Sequence, residues 1–161
     1  GRWPLNVQVA GDLAPVQRAL AARGWKVQPQ ADWQGVLGLL DDDLPVDHQP
    51  VLPASLDAQP EVLLMVHDGA RFDERFVARF WRAPAVLGDG RPLWVGTMHR
   101  LVLVRPFDAF VLWRPQPFVP ADAQPAFDAL GVLPSRIETA EPAGLDVMRI
   151  AIPANAPRGG R

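Results

Sequence analysis

The segment RFVARFW, residues 75–81, decides whether the middle of this chain is predicted as helix or as sheet. Phe72, Phe76 and Phe80 recur every four residues, which is the spacing of one helix face. Phe76, Ala78 and Phe80 also alternate, which is the spacing of one strand face. A His-Asp-Gly turn signal precedes the segment and further segments rich in β-formers follow it, so we predict a strand within a meander.

Other segments are also predicted as strands, separated by turns that contain Gly or Pro-Phe-Asp. They are EVLLMV (61–66), PLWVGTM (92–98), RLVLV (100–104), AFVLW (109–113), SRIETA (135–140) and LDVMRIAI (145–152). Before PLWVGTM, Asp89 and Gly90 form a turn and Pro92 begins the strand. Gly96 inside it indicates that a neighbouring aromatic ring or a bulge approaches the backbone closely.

The chain begins with a predicted βα unit. LNVQVAG (5–11) is a strand, and Asp12 can cap the helix LAPVQRALAARG (13–24), which Gly24 ends. A short strand, WKVQP, is expected after it. Two further helices are predicted in DWQGVLGLL (32–40) and PADAQPAFDALGVL (120–133). The expected fold class is therefore α+β, a mainly antiparallel sheet with about three helices.

Composition limits the possible organisation and function. With 161 residues, nearly half of them hydrophobic, we expect a single domain over residues 1–153 and a disordered tail over residues 154–161. A net charge of −2 argues against nucleic-acid binding. The chain has no cysteine, and no apolar run reaches the ~18–20 residues that span a bilayer.

Few residues are candidates for chemistry. His67 and Asp68, at a strand end, are candidates for a general-base pair, although an ordinary turn is the simpler interpretation. Asp47 and His48 are candidate metal ligands, but their acidic segment lacks the Gly and the terminal Glu of a calcium loop. His99 and Arg100 are candidates for a binding surface. No cofactor is predicted.

Two other groups of residues bear on function. Serine catalysis is not expected, because neither Ser55 nor Ser135 lies on a G-x-S-x-G turn. The arginines of RFVARFWR could form a basic edge for an anionic headgroup. They are expected more often on a solvent-exposed face, where their stems cover apolar surface.

Three pieces in order, LNVQVAGDL running into ALAARGW, the Leu-Pro pairs at residues 44–45 and 52–53, and RFVARFW…DGRPLWVGT (75–97), resemble the LssY C-terminal domain family. This family commonly stands at the C-terminal end of bacterial integral membrane proteins, after domains similar to the DedA family and the type 2 phosphatidic acid phosphatases. Many members carry His-Asp-Gly soon after the Leu-Pro segment, where this chain has Leu56, Asp57 and Ala58. The resemblance implies a context but no assigned activity.

The motifs of such a lipid phosphatase are missing from the chain: LPSRIETAEPAG (133–144) contains a Ser-Arg with no His behind it. The first hypothesis is thus a non-catalytic accessory, regulatory or ligand-binding domain. Its expected partner is the membrane-embedded part of its own full-length protein, in a bacterial inner membrane. The alternatives are a small hydrolase or metal-dependent enzyme using dispersed His and Asp residues, and an interaction module whose sheet edge pairs with another copy.

Overall fold

A long β-hairpin is the centre of the fold in the computed structural model. The structure describes residues 5–28, 51, 54–105, 112–116, 128, 130–140 and 144–154. Strand β6 (Glu74–Val86) and strand β7 (Pro92–Val104) pair antiparallel, and each is 13 residues long. The predicted strand over RFVARFW is confirmed. The segments PLWVGTM and RLVLV, predicted as two strands, lie within the single strand β7.

The remaining elements surround this hairpin. They are β1 (Val7–Ala10), α1 (Ala14–Ala21), β2 (Lys26–Val27), β3 (Ser55–Leu56), β4 (Gln59–Pro60), β5 (Leu63–Asp68), β8 (Leu112–Gln116), β9 (Ser135–Ala140) and β10 (Leu145–Ala151). The main sheet has the order β2-β5-β6-β7-β1-β10-β9, and β8 pairs with β7 beyond the end of β1. Strands β1 and β10 are parallel, and the other recorded pairs are antiparallel. Strands β3 and β4 form a separate two-stranded sheet.

Alternation along the strands divides the main sheet into two faces. The helix face packs against α1 and carries the larger hydrophobic core, which includes Val9, Leu20, Met65, Phe80 and Ile150. The opposite face carries a smaller apolar cluster of Val51, Leu64, Val77 and Leu101. Both faces of β6 are buried along much of its length, which explains why phenylalanines and arginines alternate there without an exposed side.

The βα unit at the start of the chain is confirmed, although α1 is shorter than the predicted helix and its N-cap position is Leu13 instead of Asp12. Asp12 Oδ1 accepts a hydrogen bond from the Ala14 amide at 3.1 Å, and Pro15 lies in the first turn of α1. Gly24 adopts φ +90°, which a residue with a side chain rarely adopts, and thereby ends the helical segment. Trp25 then packs into the core, 3 % exposed.

Gly96 lies opposite Phe80 in the central hairpin. A Cβ at this position would lie 2.5 Å from the Arg79 carbonyl oxygen and 2.9 Å from Phe80 Cδ1. The predicted close approach to the Gly96 backbone is therefore confirmed, and it comes from an aromatic ring together with main chain.

The predicted α+β class with about three helices is wrong. Within the described residues, α1 is the one helix with defined bounds, and strands make up most of the structure. The helix predicted over residues 32–40, and most of the one predicted over 120–133, lie outside the described residues. The sequence-based expectation gave too little weight to the two 13-residue strands of the hairpin, which dominate the fold. No helix among the described residues is long and apolar enough to cross a membrane.

Candidate functional site

A pocket of about 350 Å³ opens at the turn between β5 and β6, and we call it the turn pocket. Its lining residues are Asp68, Gly69, Ala70, Arg71, Phe72, Glu74, Arg75 and Trp113. This volume is at the lower end of the range for ligand-binding clefts. The pocket combines aromatic side chains with charges of both signs, so it is suited to a ligand or partner group that carries both apolar and polar atoms.

Arg75 and Trp113 provide the inner part of the turn pocket. Arg75 comes from β6 and is 5 % exposed, and its guanidinium carbon lies 4.6 Å from the centre of the Trp113 ring. Trp113 reaches this position because β8 pairs with β7, which itself pairs with β6. A cation stacked on an indole and withdrawn from water is held strongly. The arrangement therefore fixes a desolvated positive charge beside the pocket.

Asp68 lies directly opposite Arg75 in the β5–β6 pair. The Asp68 Oδ1 atom is 3.3 Å from Arg75 Nε, yet 70 % of the Asp68 side chain is exposed while that of Arg75 is buried. An ion pair with one partner in water contributes little to stability. Asp68 can thus exchange contacts with an incoming group without a large cost to the fold.

The turn that forms the rim of the pocket is held by local contacts. Arg71 binds Asp73 with two hydrogen bonds of 2.9 Å. The Gly69 amide donates to the Glu74 carbonyl oxygen at 2.9 Å, and a Cβ on Gly69 would lie 2.6 Å from Glu74 Cγ. Phe72, between these contacts, is 85 % exposed. The turn therefore presents a large aromatic side chain to solvent on an ordered support.

Arg100 contacts Glu74, which lines the turn pocket. Its Nε and Nη2 atoms lie 2.9 and 2.7 Å from Glu74 Oε2, and Glu74 lines the pocket. The sequence predicted Arg100 as part of a binding surface, and the structure places it behind the pocket lining. We assign it the role of positioning Glu74.

The structure does not bring the predicted pair of His67 and Asp68 together. They are successive residues of β5, so their side chains lie on opposite faces of the sheet. His67 stacks on Trp25 with the ring centres 5.5 Å apart, whereas Asp68 contacts Arg75. His67 Nδ1 is buried and has no hydrogen-bond partner in the part of the chain that the structure describes. General-base catalysis by this pair would need both side chains on the same face of the sheet, and they lie on opposite faces.

His99 lies in a second cluster, a row of polar side chains that are buried on the face of the sheet opposite to the helix face. Glu61, Arg79, Thr97 and His99 are 1 %, 5 %, 2 % and 6 % exposed. Arg79 Nη1 lies 2.5 Å from Glu61 Oε2, and Arg79 pairs across the hairpin with Thr97. We call this set the buried row. His99 therefore does not form an exposed binding surface.

Burial controls the protonation of the buried row. Desolvation, with a smaller contribution from the positive charge of Arg79, lowers the pKa of His99 to about 4. Desolvation also raises the pKa of Glu61, against the opposing effect of Arg79. His99 is consequently a neutral imidazole at neutral pH. The row is a buried polar part of the sheet interior.

The predicted metal ligands Asp47 and His48 lie outside the described residues. Across the described residues, no group of three or more His, Asp or Glu side chains is arranged to hold a metal ion.

Sequence reasoning missed the importance of Arg75, Trp113 and Phe72. The interpretation of the RFVARFWR arginines as solvent-exposed was wrong for Arg75 and Arg79, which are each 5 % exposed. The sequence feature that could have indicated their burial is that both arginines share one strand face with Val77. Alternation shows which residues share a face, but it does not show whether that face is covered.

Comparison with known proteins gives one match. The profile of the family described as "LssY C-terminus" matches residues 2–105, more than half of the chain, and confirms the resemblance drawn from the sequence. The matched span includes the β5–β6 turn and ends just after β7, so Trp113 lies beyond it. No curated protein and no solved structure matches the chain.

Proposed function

The chain belongs to the LssY C-terminal family, and on this premise we propose that it is a non-catalytic accessory domain of a bacterial membrane protein. In this proposal the full-length protein also carries a lipid phosphatase-like part in the inner membrane. The domain binds that membrane-embedded part through the turn pocket and regulates it.

The observation that carries the proposal is the exposure of Phe72, at 85 %, beside the stacked pair of Arg75 and Trp113. Aromatic residues and arginine are enriched at protein interfaces, and tryptophan and arginine are common among the residues that dominate binding. An exposed phenylalanine on an ordered turn can insert into a partner, while the pocket behind it receives a side chain from that partner. This chemistry fits a protein surface better than a small polar substrate.

The alternative, a small hydrolase or metal-dependent enzyme, has no specific observation in its favour among the described residues. The turn pocket contains carboxylates but no histidine in its lining. Turnover of lipids, phosphate esters or nucleotides by the purified chain would support the alternative and contradict the proposal.

The binding experiment compares two exposed apolar residues near opposite ends of β6. Phe72→Ser removes the aromatic group at the turn pocket, and Val86→Ser removes an apolar side chain that is 60 % exposed at the far end of β6. Each chain is titrated against the detergent-solubilised membrane part of its full-length protein. We expect Phe72→Ser to weaken binding at least about tenfold, as for the loss of an interface anchor.

Val86→Ser is the matched control and should change the affinity less than about twofold, because it lies at the other end of a strand about 40 Å long. Both variants should keep the melting temperature of the parent chain, since both side chains are exposed. Equal affinities for the parent chain and Phe72→Ser would show that the turn pocket is not the binding surface.

A further inference from the structure

Strand β9 lies at the edge of the main sheet and is exposed along most of its length. Within the described residues its strand neighbour is β10 alone. Residues 135–137 and 139 are exposed, Ile137 is 53 % exposed, and Glu138 is half-buried. Strand β2, at the other end of the order, has only two residues, and β8 contains Pro115, which cannot donate a backbone hydrogen bond. β9 is thus the edge best able to accept a further strand.

The backbone groups of β9 that point away from the sheet can be identified from the hydrogen bonds of β10. The Ala151 amide donates to the Pro134 carbonyl oxygen at 2.9 Å. The backbone N–H and C=O groups of every second residue after Pro134, which are residues 136, 138 and 140, therefore point towards β10. The Met148 amide donates to Asn6 beside β1 at 2.8 Å, so the backbone groups of Met148 point away from β9. Because these directions alternate along a strand, the N–H and C=O groups of residues 135, 137 and 139 point outward.

We propose that a second copy of this chain pairs with this edge, β9 against β9, antiparallel and with a two-fold axis at Ile137. In that register Ile137 faces its own equivalent, and Ser135 faces Thr139 of the second copy. All the outward groups then find partners, in about six backbone hydrogen bonds. The same surface is used by both copies, as a two-fold interface requires.

The charges on β9 fit this register. Arg136 and Glu138 lie one residue on either side of Ile137, so the two-fold axis places Arg136 of each copy opposite Glu138 of the other. Such positions are pairs without backbone hydrogen bonds, where side chains approach most closely and opposite charges are favourable. Charged residues often protect an edge from pairing. Here they permit one register and disfavour its neighbours.

The size of the interface sets its strength. A six-residue strand pair, with the apolar contact of two Ile137 side chains at its centre, is smaller than a standard protein interface. The dimer is therefore reversible and its population rises with protein concentration. This inference is independent of the proposed function, because β9 is not part of the turn pocket.

The test uses two charge reversals that are each unfavourable alone. Arg136→Glu places like charges opposite each other at both positions of the interface, and Glu138→Arg does the same with positive charges. Sedimentation velocity should show a concentration-dependent dimer for the parent chain and monomers for each variant. An equimolar mixture of the two variants should dimerise again, because every facing pair is then of opposite charge.

Arg18→Glu is the matched control. Arg18 is an exposed arginine on α1, and it belongs neither to β9 nor to the neighbouring strand β10. This variant should dimerise like the parent chain, and circular dichroism should show that every variant is folded. A monomeric parent chain, single variants that dimerise like the parent, or a mixture that stays monomeric would each overturn the proposal.

Discussion

Acidification should destabilise this protein through His99 well before its exposed carboxylates are protonated. Burial lowers the pKa of His99 from 6.5 to about 4, because its charged form is desolvated and lies near Arg79. The unfolded chain therefore binds this proton at a higher pH than the folded protein does. The stability that the folded protein gains from keeping His99 neutral is fully present above about pH 6.5 and is lost as the pH falls towards 4.

The size of this loss of stability follows from the change in the pKa of His99. Each pKa unit corresponds to about 1.4 kcal/mol, so a fall from 6.5 to about 4 represents about 3 kcal/mol over the whole range. Between pH 7 and pH 5, where most of this window lies, we expect the free energy of unfolding to fall by about 2 kcal/mol. For a domain of marginal stability, this is a large fraction of the total.

The assay is urea unfolding at pH 7, 6 and 5 for the parent chain and for His99→Gln. Glutamine is polar and similar in size but does not titrate, so the variant should lose the part of the pH dependence that comes from His99. From pH 7 to pH 5, the free energy of unfolding of the parent chain should therefore fall by about 2 kcal/mol more than that of His99→Gln. Identical pH dependences would show that His99 protonates in the folded protein without penalty, and the reasoning would fail.

Two further substitutions test the interior of the sheet. Glu61→Gln leaves the buried Arg79 without its carboxylate partner and should lower the free energy of unfolding by about 3 kcal/mol. If chemical denaturation shows less than about 0.5 kcal/mol, the ion pair is not dehydrated as its burial indicates. Gly96→Ala places a methyl group against Arg79 main chain and Phe80, and should cost about 1–3 kcal/mol. A thermal midpoint equal to that of the parent would contradict the close approach.

The sequence was most informative where a segment fitted both the helix and the strand periodicity and its neighbours favoured one of the two. Over RFVARFW, the turn signal before the segment and the predicted strands after it correctly favoured a strand. The number of helices was predicted less well. Short apolar periodicity around Gly35 and Gly38 predicts a helix, but that segment lies outside the described residues and the helix stays a prediction.

The candidate site could be predicted only in part. Asp68 was found because His-Asp-Gly is a visible turn signal, and it does line the turn pocket. Trp113 could not be placed, because its contact with Arg75 depends on the register between β7 and β8, which no local pattern encodes. His99 was placed on a surface because a lone histidine at a predicted strand end resembles an exposed one. Its burial depends on what covers the opposite face.

The most direct test of the proposed function is hydrogen–deuterium exchange at the turn pocket. Exchange is measured for the isolated chain and for the same residues within the full-length protein in detergent. We expect backbone amides of residues 68–75 to exchange at least about tenfold more slowly in the full-length protein, because the partner covers them. Equal exchange rates at residues 68–75 in the two samples, or a full-length protein that contains no membrane-embedded part, would contradict the proposed function.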